Sequence, residues 1–597
     1  MPTYIRLTDY KDSSSKEQGF FEAKNRYTAK QEDFFKIPGS PIAYWVSDKV
    51  KEIFKKSEKL GEIAEPRQGM ATSDNDRFLR LWFETEFNKI GFNFESREKV
   101  KNSGLKWFPY NKGGEFQKWY GNQEYVVNWE NDGVEIMEYA ITLYKNATRT
   151  IKNIPYYFRE SITYSFVSSS KFAVRYTPKG FLFDVGGSST FPQKKDLLYI
   201  TSFLNSNIAY DLLKIVAPTI NFQVGDLKAL PIIFPKSSTL KSKIDTLTQE
   251  CINISKEDWD SRETSWDFCT NELVRIFNDE CKMLNKQENN SKLNIQNLTL
   301  ETIYNRFCNY WKEKFYKLHQ NEEELNRLFI EIYGLEDELS PDVALEDITI
   351  LKKETKIQDN KLIFQKDEII KQLISYGVGV ILGRYSLEKE GLFIANKNES
   401  KTHPLMDDDN IIPILQFDYF KDDIVTQFRN FLKVAFGKEN LDKNIQFIES
   451  ALNKSIRNYF LKDFYEDHIK RYKKRPIYWM VSSPKKGFFA IFYLHRYYPD
   501  IFARIQNSYL REFINKLQAQ KESLHQLQIE APSTKEKNRA IKELKTINTL
   551  EKELIEFDRN IFTKYAQTQT DIDLDDGVKE NYCKFKEILY PIKGLCK

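Results

Sequence analysis

No run of about 18 apolar residues occurs anywhere in this chain, which leaves no candidate for a membrane-spanning helix. Its first residues, MPTYIRLTDYKDSS, lack both a basic n-region and an apolar h-region, so no secretory leader is read there. Cysteine is scarce: Cys251, Cys269, Cys281, Cys308, Cys583 and Cys596 form no CxxC pair and have no histidine at metal-ligand spacing. They are expected to be reduced thiols, and the five scattered histidines (His319, His403, His468, His495, His525) argue against a zinc site. Charge of one sign is also missing, because 90 Lys and Arg against 86 Asp and Glu leave only +4. Any surface for a polyanion must therefore come from local segregation of charge. The expectation is a soluble, cytoplasmic protein with no membrane partner and no metal.

Two catalytic devices are absent as well. Methyl transfer to a flipped adenine needs an Asn/Asp-Pro-Pro-Tyr loop, and no Pro-Pro occurs among the 19 prolines. It also needs a glycine-rich strand-to-helix turn for S-adenosylmethionine. The nearest candidate, Phe183-Asp184-Val185-Gly186-Gly187-Ser188-Ser189, runs on into Thr-Phe-Pro and not into a helical pattern. There is no GxxxxGK[ST] phosphate loop either, which excludes the usual route to ATP hydrolysis. No catalytic residue and no cofactor site is assigned to this chain.

What is present is ample material for a core. With 44 Phe and 33 Tyr in 597 residues, the chain has the apolar surface to offset the entropy of ordering several domains. Residues 1–60 read as a polar arm or linker. From 61 to 235, short runs rich in Tyr, Phe, Val, Ile and Trp alternate with Gly, Asn and Ser, as in YVVNWEND and FVSSSKFAVRYT, and predict a β-rich region. Leu197, Leu198, Ile200, Phe203, Leu204, Ile208 and Leu212 predict a packed helix, followed by the extended stretch ALPIIFP. Beyond 236 helices predominate, with an Asn/Lys/Gln-rich loop near 285–297. Leu510, Ile514, Leu517, Leu524 and Leu527 precede APST, and Ile541, Leu544, Ile547, Leu550, Leu554 and Phe557 follow it, which predicts an antiparallel helical hairpin over 508–560. The fold class is α+β and multidomain.

Basic and aromatic residues interleave most densely between 96 and 126, where six Lys/Arg and seven aromatics accompany three acids. Lys106, Tyr110, Asn111, Lys112, Gly113, Lys118, Tyr120 and Asn122 lie there. Lys-Gly-Gly bares backbone N–H groups beside a cation, which suits a phosphate oxygen, and Asn and Lys can reach base edges. The same pattern also describes a β-hairpin with core Trp and solvated Lys. A second group, Thr72, Ser73, Asn75 and Arg77 in RQGMATSDNDRFLR, offers short donors and acceptors; Ser73 or Asp74 would serve equally as a helix cap. Ser188 and Ser189 with Thr190, and Asn221 and Gln223 in PTINFQVGDL, form a third group that reads equally well as exposed turns. Arg175 completes the DNA-binding set. The acid-rich IDLDDGVKENY fits a calcium loop only superficially, because its glycine and distal glutamate fall at the wrong offsets.

These stretches resemble the PglX family, the adenine-specific DNA methyltransferases of BREX phage-defence systems. The resemblance runs through RQGMATSDNDRFLRLWFE, KWFPYNKGGEFQKWYGNQEYVVNWENDG, FLFDVGGSSTFP, KEDWDSRETSWDF, ISYGVGVILGRYSLEKEGL, RYKKRPIYWMVSSPKKGFFAIFYLHRY and DIDLDDGVKENYCKFKEI, and covers most of residues 40–597. It implies a target-recognition domain at 61–235, a connector at 236–300, a helical domain at 301–425 and a helical C-terminal domain at 426–597. The part of the family that carries the cofactor loop and the Asn-Pro-Pro-Tyr motif has no counterpart here. Two origins fit: a split gene, mildly favoured by the initiator Met and the polar first 30 residues, or a deliberate fragment.

The resemblance thus implies a specificity half that reads double-stranded DNA for a separate methyltransferase subunit, which would carry S-adenosylmethionine, to mark host DNA as self. Other BREX defence proteins are further expected partners. The alternative is a helical assembly module that docks the methyltransferase half or other defence proteins, with DNA contact incidental.

Overall fold

The computed structural model describes residues 1–8, 10–22, 25–168, 171–217, 219–286 and 298–596. It is an α+β architecture in which small sheets occupy the amino-terminal third and helices dominate the rest. The Asn/Lys/Gln-rich stretch lies, from 287 to 297, outside the described residues.

Two four-stranded sheets build the β-rich region. The first has the order Leu182–Phe183, Trp107–Asn111, Tyr125–Asn128, Leu79–Leu81. Trp107 pairs with Asn128 and Tyr110 with Tyr125 in an antiparallel ladder. Every residue of Trp107–Asn111 is buried, so WFPYN is covered on both faces and shows no polar alternation. Leu182–Phe183 runs parallel to Tyr110–Asn111, which lays the FDVGGSS loop alongside YNKGG. The second sheet has the order Ala64–Arg67, Ser189–Pro192, Ser161–Tyr164, Val174–Thr177. Ser189 pairs with both Arg67 and Thr163, so the GGSS segment passes from one sheet directly into the centre of the other.

The helical part is organised along Leu300–Tyr333, a 34-residue helix capped by Thr299, whose side chain accepts the Thr302 N–H, and closed by Gly334 at φ 64°. Leu300, Ile303, Tyr304, Phe307, Trp311, Phe315, Leu318 and Leu325 recur at helical spacing along its buried side. They join a continuous core that reaches from Ile37 to Tyr590. A second core, from Ile411 to Leu595, forms around the three-stranded sheet Ile412–Pro413, Phe489–Tyr493, Tyr478–Ser482. Helices Arg511–Glu530 and Thr534–Phe557 belong to it, linked by Gln518 and Lys521 to Glu551 at 3.0 and 2.6 Å and by Gln520 to Glu543 at 3.1 Å.

The cysteine expectation fails for one pair. Cys583 and Cys596 form a disulfide, with 5.5 Å between their Cα atoms, because the helix Gly577–Cys583 and the chain that follows it fold back on each other. A separation of 13 residues gives no sequence signature of the CxxC kind. Cys251, Cys269, Cys281 and Cys308 are free thiols. Among the described residues no helix is long and apolar enough to cross a membrane, and no group of three His, Cys, Asp or Glu side chains is placed to hold a metal ion.

Candidate nucleic-acid interface

Three segments far apart in sequence converge on Asp184. Its Oδ2 accepts the Tyr110 hydroxyl at 2.8 Å and the Lys112 ammonium at 2.6 Å, while Oδ1 accepts the Gly186 N–H at 2.6 Å. Tyr110 also donates to Met70 O at 3.2 Å. Burial and the Asp184 charge hold the Tyr110 phenol well above its ordinary range, so it stays a neutral donor. Lys112 reaches on to Asn75 Oδ1 at 3.4 Å, and the same oxygen accepts the Thr72 hydroxyl at 2.6 Å. The backbones meet closely: a Cβ on Gly113 would stand 2.3 Å from Gly186 O, and φ there is +83°, so both space and conformation require glycine.

Ser73 takes a left-handed φ of 64°, and Asp74 caps the short helix Asn75–Phe78 by accepting the Arg77 N–H at 3.1 Å. Capping and display coexist: Ser73, Asn75 and Arg77 are exposed, with Arg77 bound to Glu135 at 3.0 and 2.8 Å.

Asn75 and Lys112 line a pocket of about 580 Å³ whose other walls come from the carboxyl-terminal part of the chain. Arg80, Lys473, Arg475 and Lys579 bring four more cations to it, against Asp76, Glu84, Asp576 and Glu580. Lys579 pairs with Asp76 at 2.6 Å, Lys473 with Glu124, and Arg475 lies 3.8 Å from Glu84. The Lys579 hydrogen bond holds the Asp76 carboxyl below its usual range. Burial pushes that of Glu84 up, against the pull of Arg475.

Arg80 is held differently: its guanidinium donates to the carbonyls of Asp575 at 3.0 Å, Asp76 at 2.6 Å and Leu79 at 2.7 Å, and lies 5.3 Å from the centre of the Trp107 ring. Asp575 in turn accepts from Trp107 Nε1 at 2.9 Å, Lys89 at 3.2 Å and Lys106 at 3.3 Å. Burial alone would raise its carboxyl; the Trp107 hydrogen bond and the two lysines outweigh it and hold the pKa below the ordinary value. IDLDDGVKENY is therefore a clasp that closes the β-rich region onto the carboxyl-terminal core.

The remaining residues singled out in the sequence lie elsewhere. Lys118 is buried and bonded to Glu322 Oε2 at 2.6 Å, while Trp119 Nε1 takes Glu322 Oε1 at 2.7 Å. Tyr120 is buried beneath Lys256, and Asn122 donates to Glu115 O at 2.9 Å. Asn111 is buried, 3.3 Å from Thr177 Oγ1. Arg175 is also buried, and desolvation lowers its pKa to about 10; its closest acceptors, Gln117 O and Ser165 Oγ, are both 3.4 Å away. Ser188 and Ser189, expected either as DNA contacts or as exposed turns, are both buried, with Ser188 donating to Val185 O at 3.0 Å. Asn221 pairs with Val167 across an isolated bridge, and Gln223 is exposed.

Sequence reasoning missed Lys473, Arg475 and Lys579. The run RYKKRP was a usable signal, since Arg471, Lys473, Lys474 and Arg475 pack four cations into five positions; Lys473 and Lys474 both adopt left-handed φ, at 50° and 62°.

No family model matches the chain. Two curated proteins do. Adenine-specific methyltransferase PglX of Lacticaseibacillus casei (strain Zhang) is 37% identical over 618 aligned positions that cover 99% of this chain and 49% of the relative. Adenine-specific methyltransferase BrxX of Escherichia coli O9:H4 (strain HS) is 34% identical, covering 100% of this chain and 48% of the relative. The chain spans about half the length of these relatives, and along its whole length it is PglX-like.

Proposed function

We propose that this chain is the DNA-reading component of a BREX-type adenine-specific DNA methyltransferase, and that it positions duplex DNA for methyl transfer carried out by a catalytic body outside it. The observation that carries this reading is the junctional pocket, where Asn75, Arg80 and Lys112 from the β-rich region face Lys473, Arg475 and Lys579. Cations there suit phosphate oxygens, and the exposed Ser73 and Asn75 have the reach and polarity for base edges or sugar. The sequence has no Pro-Pro, and Gly186-Gly187 leads directly into the strand Ser189–Pro192 instead of a helix, both of which support placing chemistry elsewhere. S-adenosylmethionine would be held by the catalytic partner, and residues 61–235 would act as the target-recognition domain, with the connector and the two helical domains as its scaffold.

The test is duplex binding by the full chain as salt is raised. Site-preferring affinity that falls steeply with salt is expected, since each phosphate contact releases counterions. Binding that ignores salt, or methyl transfer by the purified chain alone, would refute the division of labour.

A second reading, the helical assembly module, is favoured by one observation: Leu527, Ile529 and Ile541 stand 45, 76 and 47% exposed on the helices Arg511–Glu530 and Thr534–Phe557. Ile529→Ser should then abolish retention of the methyltransferase subunit while leaving duplex binding untouched; retained association would reject it.

A further inference from the structure

A second concentration of positive charge lies outside the junctional pocket. Two adjoining hollows of about 660 and 820 Å³, which share Lys485, Lys545, Thr549 and Glu553, form a groove between the helix Thr534–Phe557 and the turn joining strands Tyr478–Ser482 and Phe489–Tyr493. Six lysines line it: Lys462, Lys485, Lys486, Lys542, Lys545 and Lys552. All six are exposed, and among the described residues none pairs with a carboxylate; Lys486 alone has a polar partner, the Tyr590 hydroxyl at 3.2 Å. In the junctional pocket, by contrast, Lys112, Lys473 and Lys579 each have an acid.

The groove is built to keep its charges facing one way. Lys542, Lys545, Thr549 and Lys552 recur at spacings of three and four and so share one helix face, about 15 Å long. Across from them the turn is pressed onto the helix: a Cβ on Gly487 would stand 2.2 Å from Leu550 Cδ1. Two acids also line it, the buried Glu553, whose Oε1 accepts the Lys485 backbone N–H at 3.0 Å, and the exposed Glu556; among the described residues neither forms an ion pair with any of the six lysines. Like charges at these spacings repel, and a bound polyanion removes that penalty.

Its location specifies the polyanion. Lys485 follows the strand Tyr478–Ser482 by three residues and Arg475 precedes it by three, so the groove and the junctional pocket sit at opposite ends of one strand. Ten residues span at most about 35 Å, close to one turn of duplex DNA. We infer that this groove holds the sugar-phosphate backbone of the duplex flanking the site engaged at the junctional pocket. The inference rests on the DNA-reading function proposed above and adds a second, sequence-independent contact to it.

The experiment compares the full chain with a variant carrying Lys542→Gln, Lys545→Gln and Lys552→Gln, all on an exposed face where, among the described residues, their ammonium groups make no hydrogen bond or ion pair, using duplexes of about one and about four helical turns. The variant should bind the short duplex as the parent does and the long duplex about tenfold or more weakly, with the slope of log affinity against log salt reduced by about 2 to 3. Lys485→Gln with Lys486→Gln, on the opposite wall, should act in the same direction. Unchanged binding of the long duplex, with Lys112→Ala still weakening it, would overturn the groove and leave the function standing. Failure of the parent to bind either duplex would overturn both. Loss of binding to polyglutamate with DNA binding intact would make the occupant an acidic polypeptide and likewise overturn the inference.

Discussion

Lys112 Nζ sits 2.6 Å from Asp184 Oδ2, on the opposite side of that carboxylate from the Gly186 N–H bound to Oδ1. Asp184 keeps the Tyr110 hydroxyl and the Gly186 N–H when the ammonium is removed, so Lys112→Ala should fold normally. Duplex affinity should fall about equally for all sequences, with the salt slope lower by about 1, measured by fluorescence anisotropy. Unaltered binding at low salt would move the DNA surface away from this loop.

Lys118→Ala should behave in the opposite way. With Lys118 gone, Glu322 remains buried with only the Trp119 indole, and removing one partner of a buried ion pair costs about 3–5 kcal/mol. Urea denaturation should show that loss. Lys118→Met combined with Glu322→Gln should recover much of it, because no uncompensated charge is then left inside.

Gly577→Ala tests the clasp. Gly577 has φ +78°, and an added Cβ would lie 2.6 Å from Arg80 Nε, so the substitution strains the backbone and displaces the guanidinium together. A destabilisation of about 1–3 kcal/mol is expected, with weaker duplex binding as Arg80 shifts. An Ala variant as stable as the parent and with equal affinity would show that the close packing is dispensable.

Stability should also fall on mild acidification through His495. Its Nε2 lies 2.9 Å from Thr85 O, its Nδ1 is buried without a partner, and burial lowers its pKa to about 4. A folded-state value below the unfolded one of about 6.5 means that stability is complete above about pH 6.5 and is lost as pH falls toward 4. Over that window the loss amounts to about 3 kcal/mol. His495→Gln, which keeps a donor for Thr85 O, should flatten that part of the pH–stability curve; an unchanged slope would contradict the assignment.

Patterns with local causes were legible in the sequence. The alternating runs at 61–235 announced β structure, apolar spacing announced helix between Leu197 and Leu212 and after 508, and helices were expected only in general between 236 and 508. The helix expected from Leu197 through Leu212 is in fact two, Leu197–Asn205 and Asn207–Val216, because Ser206 adopts an extended backbone and caps the second through the Ala209 N–H at 3.3 Å. Apolar periodicity continues through such a break and conceals it. Within the candidate site, Asn75 and Lys112 could be singled out from residue chemistry, but whether a lysine beside aromatics faces solvent depends on what packs over it. Lys118 meets Glu322, 204 positions away, and no local pattern contains that contact. Pairing of Cys583 with Cys596 was hidden for the same reason: it depends on how the last helix turns back.

The Asp575 clasp has a consequence for how the protein is made. Lys106 and Trp107 leave the ribosome long before the carboxylate that covers them, which follows 469 and 468 positions later. Until Asp575 has been made, Lys89, Lys106 and the Trp107 indole therefore wait without the carboxylate they share, and the junctional pocket lacks the wall built by Asp576, Gly577 and Lys579. A polypeptide terminated before Asp575 would carry Asn75, Arg80 and Lys112 without the residues that close the pocket beside them, so such products would be open where the longer chain is shut.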